Sequence, residues 1–330
     1  MPTSRPVVWL RTAMELAGAL ECVLVALCSR KVTAREVVAL GQQLGVTTAA
    51  VDIKVDTGPT PRLGTSLVLQ GSPFERISDL SDKRNLGLLL ARLAGWDSVM
   101  FLDDDIYDLG PSDVDSAVSL LDRYRAAGLD NAGFPDNSVV CHAHRAVGGV
   151  QDQFVGGGAL AVSPLRTRSF FPRIYNDDWF FVIGQSVPPQ LAVTGKMKQA
   201  AFDPFADPGR ARREEFGDCL AEGLYWLLDR HRGLEGADRQ YWKHFLSRRR
   251  RFLDRLLWLA NRPVDHRVPR ERLLASLEAA KATNALITAD LCAEYVARWR
   301  SDLRTWRRHL DGLPTSIGVE RAIAELGLEA

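Results

Sequence analysis

The residues best suited to chemistry are Asp103, Asp104 and Asp105, which follow the unbroken apolar run Val99-Met100-Phe101-Leu102. Such a run reads as a strand buried on both faces, the pattern of parallel strands in α/β proteins. Open sheets of that class hold ligands beyond the carboxyl ends of their strands, so this run delivers three carboxylates to the expected ligand edge. Like charges side by side repel, and a hard divalent cation with oxygen ligands is the simplest compensation. The same triplet also suits a solvated turn, where Asp hydrogen-bonds its own backbone.

Other groups could join them. Asp177-Asp178 opens the aromatic run Trp179-Phe180-Phe181, where acids also complement a helix N-terminus. Lys83 and Arg84 fall in the first turn of an expected helix, where cations oppose the dipole, so an anion in front of them explains them better. Gly156-Gly157-Gly158 precedes the apolar run Ala159-Leu160-Ala161-Val162, which allows close backbone approach to a ligand or simply a bulge or turn. His142 and His144 lie two apart on an expected strand at Val139-Val140-Cys141; these and His231 are more readily ordinary polar histidines than metal ligands.

The elements that must position these groups begin with a strand at Cys22 to Cys28, ending in Ser29-Arg30-Lys31. Thr33 to Glu36 forms a capping box, with Ala34, Val37, Val38 and Leu44 at helical spacing and Gly45 as the stop. Thr48 to Val55 returns as a strand bearing Asp52, and the βαβ order predicts a parallel sheet. Neither a dinucleotide fingerprint nor a P-loop is present in the sequence. Gly58 to Pro73 reads as loop with a short strand at Leu67-Val68-Leu69. A helix with Ser81 as N-cap runs to Leu93 and closes at Gly95, and another runs from Ser112 through Ala127 to Gly128. From residue 206 the pattern is helical to residue 330, with breaks expected at Pro263, Pro269 and Pro314, so residues 1–205 and 206–330 read as a catalytic α/β domain and a helical extension. Within the latter, Arg248 to Arg251 leads into Phe252, Leu253, Leu256, Leu257 and Ala260, an amphipathic helix expected to pack on its own domain, with peripheral membrane contact as the second reading.

Composition bounds the function. The 330 residues are 46% hydrophobic and 25% charged with formal net charge +1, which excludes a disordered chain and gives no broad basic face for nucleic acid. Five cysteines without C-x-x-C spacing read as reduced thiols and hence a cytoplasmic protein. Glu15 and Glu21 interrupt the apolar segment Met14 to Cys28, so it is not read as a signal peptide, and no run reaches the ~18 apolar residues of a membrane span.

The stretch Ser81 to Ile106, SDKRNLGLLLARLAGWDSVMFLDDDI, resembles the basic-Asn-x-Gly helix, apolar strand and D-x-D of nucleotide-sugar glycosyltransferases with the GT-A fold, particularly the family-two type. The resemblance implies a Rossmann-like, mostly parallel sheet flanked by helices, and sugar transfer from a nucleoside diphosphate to an acceptor hydroxyl. It implies Mg²⁺ or Mn²⁺ bound directly by Asp105, with Asp103 on the metal or the ribose and Asp104 in the variable middle position on the donor side. Lys83, Arg84 and Asn85 would lie near the diphosphate, and Leu27, Ser29, Arg30 and Asp52 near the nucleoside. Asp177-Asp178 resembles the family's Glu-Asp pair, which makes Asp178 the base of an inverting transfer and leaves Asp177 in the place of Glu. Gly157, Gly158 and Trp179 would border the acceptor, whose identity, like that of the sugar and base, no motif names. Two alternatives stand beside this. The strand with D-x-D also resembles haloacid-dehalogenase-type phosphatases, with Asp103 as nucleophile and Asp105 as acid/base, although Tyr107 does not suit that motif; the third is a non-catalytic nucleotide-sugar-binding protein.

Overall fold

Two sheets share the chain, and the order of elements explains how. The computed structural model describes residues 1–53, 60–135, 138–150, 155–262 and 268–328. In chain order the elements are β1 (Pro2–Thr3), α1 (Arg11–Ala19), β2 (Leu24–Cys28), α2 (Ala34–Leu44), β3 (Thr48–Asp52), α3 (Gly64–Leu69), α4 (Leu80–Ala94), β4 (Val99–Leu102), β5 (Ile106–Tyr107) and α5 (Pro111–Ser119). There follow β6 (Ala126–Asn131), α6 (Val139–Ala146), β7 (Ala159–Val162), α7 (Asp177–Gln185), β8 (Leu191–Gln199), α8 (Pro208–Leu228), α9 (Arg239–Ala260), α10 (Arg270–Leu286), α11 (Ala289–Asp311) and α12 (Val319–Glu325).

The fold is α/β. Strands β1, β2 and β3 form a parallel sheet in which Leu24 to Cys28 pair in register with Thr48 to Asp52. Its crossover helix α2 carries the expected capping box, Thr33 accepting from the Glu36 N–H and Glu36 from that of Thr33, and ends at a left-handed Gly45. The second sheet runs β4-β7-β6-β8-β5. There β6 and β8 are parallel, and the other pairs are antiparallel.

Four local expectations are corrected. The helix expected from Ser112 to Ala127 stops at Ser119, and Ala126–Asn131 is a strand between β7 and β8. Tertiary pairing overrides the helical preference of its alanines, and Gly128 ends no helix: a Cβ there would run into the Val155 side chain. Val139 to Cys141 is not a strand but the start of α6, because Ser138 accepts from the Cys141 N–H and Glu214 accepts from that of Val139. His142 and His144 therefore diverge, the first against Phe134 and Phe202, the second against Phe252. Leu67 to Leu69 belongs to helix α3, whose first N–H groups, Gly64 and Thr65, donate to Asp302 of α11 at 2.8 Å each. A cap supplied from 237 residues away has no local signature. Helix α4 begins two residues early, with Asp79 in the N-cap position, and Ser81 instead donates to Asp177 at 2.7 Å. Expectations at residues 54, 55, 58 and 59, at Phe154 and at Pro263 lie outside the described residues.

The described residues from 206 to 328 hold helices and the turns between them, with no strand, and they share a core with the first sheet. Trp242, Trp299 and Trp306 are fully buried with Leu89 and Leu93 of α4 and Phe180 of α7. On α9, Leu253, Leu256 and Ala260 face inward, as the amphipathic pattern predicts, while Arg248 stacks on Trp226. All five cysteines are free, and no helix among the described residues is long and apolar enough to cross a membrane.

Asp302 ties α11 to α3, so Asp302→Ala should leave buried donors unpaired and cost about 1–3 kcal/mol of unfolding free energy. Urea denaturation measures it; a change below ~0.5 kcal/mol, the range of ordinary surface substitutions, would show that α3 needs no such cap.

Candidate active site

Strand ends converge on one cavity of about 320 Å³. Its wall takes Thr3 from the end of β1 with Ser4 and Arg5 beyond it, Arg30 from beyond β2, Asp103 to Asp105 from beyond β4, Gly156 from before β7, Gln199 from β8, and Asn176 to Trp179 from the start of α7. The chain places them there by local rules. Asp103 donates its N–H to the Gly158 carbonyl, which extends the β4–β7 pairing as far as the first acid. Asn176, in the left-handed region at φ 62°, turns the chain into α7 so that its first two helical residues are Asp177 and Asp178.

At the base of the cavity lies the buried guanidinium of Arg84. It donates to both oxygens of Asp103 at 3.1 and 3.0 Å and to Asp177 at 2.8 Å, and it lies 5.5 Å from the Phe171 ring centroid. Burial opposes its charge, but Asp103, Asp177 and Asp178 together raise its pKa. Asp177, closed off by Arg84 and Ser81, is a structural partner. Lys83 is likewise buried and bonds the Thr3 carbonyl, Ser29 and Asp79, joining β1, the end of β2 and the start of α4. The two cations that the helix pattern assigned to an external anion thus face the protein's own carboxylates, because each is almost wholly buried and burial demands a paired charge.

The acids divide their labour. Asp104 bonds the Thr3 hydroxyl, the N–H groups of Ser4 and Arg5, and the Arg5 guanidinium, so the middle acid anchors the N-terminal strand. Asp105 meets Arg5 at 3.1 Å and the Gln199 amide at 3.4 Å. Burial pushes Asp103 up to about 6 against the pull of Arg84, with Asp105 and Asp104 adding to the rise. Asp178 is also raised, by burial and then by Asp177, with Arg84 and the N–H groups of Gly157 (2.6 Å) and Trp179 (2.9 Å) opposing.

The donor set fits a hard divalent cation. Asp103 and Asp105 offer carboxylate oxygens to the cavity, and a positive group, Arg5, already lies on Asp105. Its side chain is 40% exposed, ion-paired to Asp104 and Asp105, with its guanidinium 5.1 Å from the Trp9 ring centroid.

Of the residues singled out in the sequence, Arg30, Lys83, Arg84, Asp103, Asp104, Asp105, Asp177, Asp178 and Trp179 meet here. Ser29 stands behind them, bonded to Asp79 and Lys83. Gly157 passes so close to Arg84 that a Cβ would lie 2.7 Å from the guanidinium carbon, and Gly158 lies beside Asp103. Three residues are elsewhere. Leu27 is core, Asp52 caps α2 by accepting from Ala34, and Asn85 bonds the Phe171 backbone through both its amide atoms. Asn85 also lines a neighbouring cavity of about 480 Å³ with Ile53, Leu63 and Leu86, which meets the first at Asp79. Sequence reasoning passed over Arg5, Asp79 and Arg76. Asp79 occupies the N-cap position of α4 without capping it, its carboxylate spent on Ser29 and Lys83, and Arg5 sits in an irregular segment with no motif.

No family model and no curated protein matches the chain. Among solved structures it is similar to glucosyl-3-phosphoglycerate synthase from Mycobacterium tuberculosis in complex with phosphoglyceric acid, at 16% identity and TM-score 0.40, covering 61% of this chain and 71% of that one. It is also similar to a mannosyltransferase from Pyrobaculum calidifontis in complex with GDP-mannose and Mn²⁺, at 12% identity and TM-score 0.39, covering 98% of this chain and 84% of that one.

Replacing Arg84 by Met would leave Asp103 and Asp177 without their common cation, a change expected to cost about 3–5 kcal/mol. Urea unfolding at neutral pH reads the loss, and a variant within ~1 kcal/mol of the parent would show that the acids do not depend on Arg84.

Proposed function

We propose that the chain is a glycosyltransferase that moves a sugar from a nucleoside diphosphate to an acceptor hydroxyl with inversion, assisted by Mg²⁺ or Mn²⁺. The observation that carries this is a single cavity holding both the Asp103–Asp105 cluster and the half-buried Asp178. A transfer of this kind needs negative charge neutralised on the leaving diphosphate and a proton removed from the acceptor, and the two acid groups answer those needs separately.

When bound, the ion would be held by Asp103 and Asp105 and would act as a Lewis acid on the leaving diphosphate. Arg30 and Arg76 line the same wall and supply further positive charge. Arg84 holds Asp103 in place, and Asp104 fixes Arg5 and β1 around the donor side. The neighbouring cavity that meets this one at Asp79 is the proposed seat of the nucleoside. Asp178 takes the proton of the acceptor hydroxyl. Its oxygens are oriented by the Gly157 and Trp179 N–H groups, and its raised pKa makes it a stronger base than a solvated carboxylate. Trp179 gives an apolar wall for a sugar ring. A phosphatase reading is weaker because both oxygens of Asp103 are bonded to Arg84, which disfavours attack on phosphorus.

A thermal-shift panel of UDP, GDP, CDP and TDP sugars with Mn²⁺ should identify the donor, since a ligand of the folded state alone raises its apparent stability. Asp105→Ala should abolish the Mn²⁺-dependent part of the shift, and an unchanged shift would remove the metal assignment. Asp178→Asn should keep the shift and lower turnover by about 10² to 10⁴. Because the base must be ionised and burial raises its pKa, turnover should rise with pH along an acidic limb above the ordinary carboxylate range, and that limb should vanish in the variant. Product NMR adds an independent check: retained anomeric configuration would rule out the inverting mechanism.

A further inference from the structure

The turn that presents Asp178 is held from behind by the helical region. Asn176 adopts the left-handed conformation, and its side-chain amide donates to Asp218 of α8 at 3.2 Å. Asp218 is itself buried, accepting from Ser138 at 2.8 Å and from Arg249 of α9 at 2.7 Å. Arg249 is fixed in turn by two bonds to Glu215, at 3.0 and 2.9 Å, and one to Glu222 at 2.7 Å, while Asn284 of α10 holds Glu215 at 2.8 Å. Two more contacts lie along the same helix. Gly217 lets α8 press on the turn so closely that a Cβ would run into the Tyr175 carbonyl, and Tyr225 meets Trp179 edge-on at 5.0 Å.

We propose that Asp218, clamped by Arg249, is a positioning residue for Asp178 and acts through Asn176. This rests on the assignment of Asp178 as base. The physical case is one of geometry. A general base must meet its proton at hydrogen-bond distance, and Asp178 sits two residues beyond a backbone conformation that non-glycine residues seldom adopt. The charge-assisted bond from Asn176 to a buried carboxylate holds that conformation, and the Arg249 clamp keeps the carboxylate from swinging away. Thus α8, α9 and α10, which contribute no group to the cavity wall, set where the base stands.

Asn176→Gly separates positioning from folding, because glycine adopts the left-handed backbone without a Cβ penalty and only the tether is lost. With the sugar nucleotide giving the largest thermal shift, nucleoside diphosphate release should fall roughly 10- to 100-fold while the shift itself stays at the parental value. The Asp178 carboxyl signal, followed by carbon-13 NMR without ligand, should titrate at a different pH, since its distances to Asp177, Arg84, Tyr225 and the Gly157 and Trp179 N–H groups change. The exchange Asn176→Asp with Asp218→Asn restores one amide–carboxylate bond with the partners reversed, and it should recover turnover relative to Asp218→Asn alone. Parental turnover and titration in Asn176→Gly, or an exchange no better than the single variant, would overturn the proposal. If Asp178→Asn turns over as the parent does, the base assignment falls and the tether with it; if that variant is inactive and Asn176→Gly is not, the tether alone falls.

Discussion

The structure depends on one buried cation. Arg84 lies under the cavity with Asp103 on one side, Asp177 on the other and Phe171 nearby, and these partners come from the end of β4 and, some seventy residues on, from the start of α7 and the loop that leads into it. Taking a guanidinium out of water is costly, and only complete pairing offsets the cost, so the cluster forms when all its parts arrive together. It therefore couples β4, which carries the acid cluster, to α7, which carries Asp178. The glycine at 157 belongs to the same constraint, since any side chain there would press on the guanidinium.

The acids beyond β4 show how three like charges can stand side by side. Each has a different positive partner or donor set: Arg84 for Asp103, the β1 backbone and Arg5 for Asp104, and Arg5 with Gln199 for Asp105. The side chains of Asp103, Asp104 and Asp105 are 24%, 10% and 12% exposed. Asp104 is tied into the fold by backbone N–H groups, whereas the Asp105 carboxylate is held through the side chains of Arg5 and Gln199. Repulsion within the cluster is thus offset by the protein's own cations and donors at all three positions, each of which lines the cavity.

How much of this was legible follows from the range of the forces involved. The βαβ start and the capping box at Thr33 are local patterns, and the structure reproduces them. Val99 to Leu102 is a strand ending in acids, but it is an edge strand paired antiparallel with β7 and only its last two residues are buried, not the doubly buried parallel strand that its apolar run predicts. The convergence of the β4 acids with Asp178 came from a family resemblance, not from periodicity. Most of the failures have a remote cause: Ala126 to Asn131 is a strand because two neighbours pair with it, α6 takes a donor's partner from Glu214 of α8, and α3 is capped from α11. A window of a dozen residues cannot contain such partners, whereas the Ser138 cap of α6 and the start of α4 at Asp79 are local. The roles of Lys83 and Arg84 were hidden for the same reason: their spacing announced that they needed anions, and only the fold could say that those anions were the protein's own.

That remoteness also changes what the C-terminal half is. A chain pattern of Arg, Leu, Ala and Glu suggested an appendage, yet its tryptophans complete the core beneath α4 and α7, and its buried ion network reaches the turn before Asp178. Helix α8 is buried almost all round and places Glu214, Asp218 and Tyr225 at helical spacing towards α6, Asn176 and Trp179. Charged residues at such depth are poor at adding stability, because hydrophobic side chains would fill the same space at lower desolvation cost. Their presence is better explained by direction than by energy. A hydrophobic contact would tolerate a small slide of α8 against the turn, whereas a carboxylate bonded at once to Arg249, Ser138 and Asn176 has essentially one position, and the cavity needs that definition at its acid.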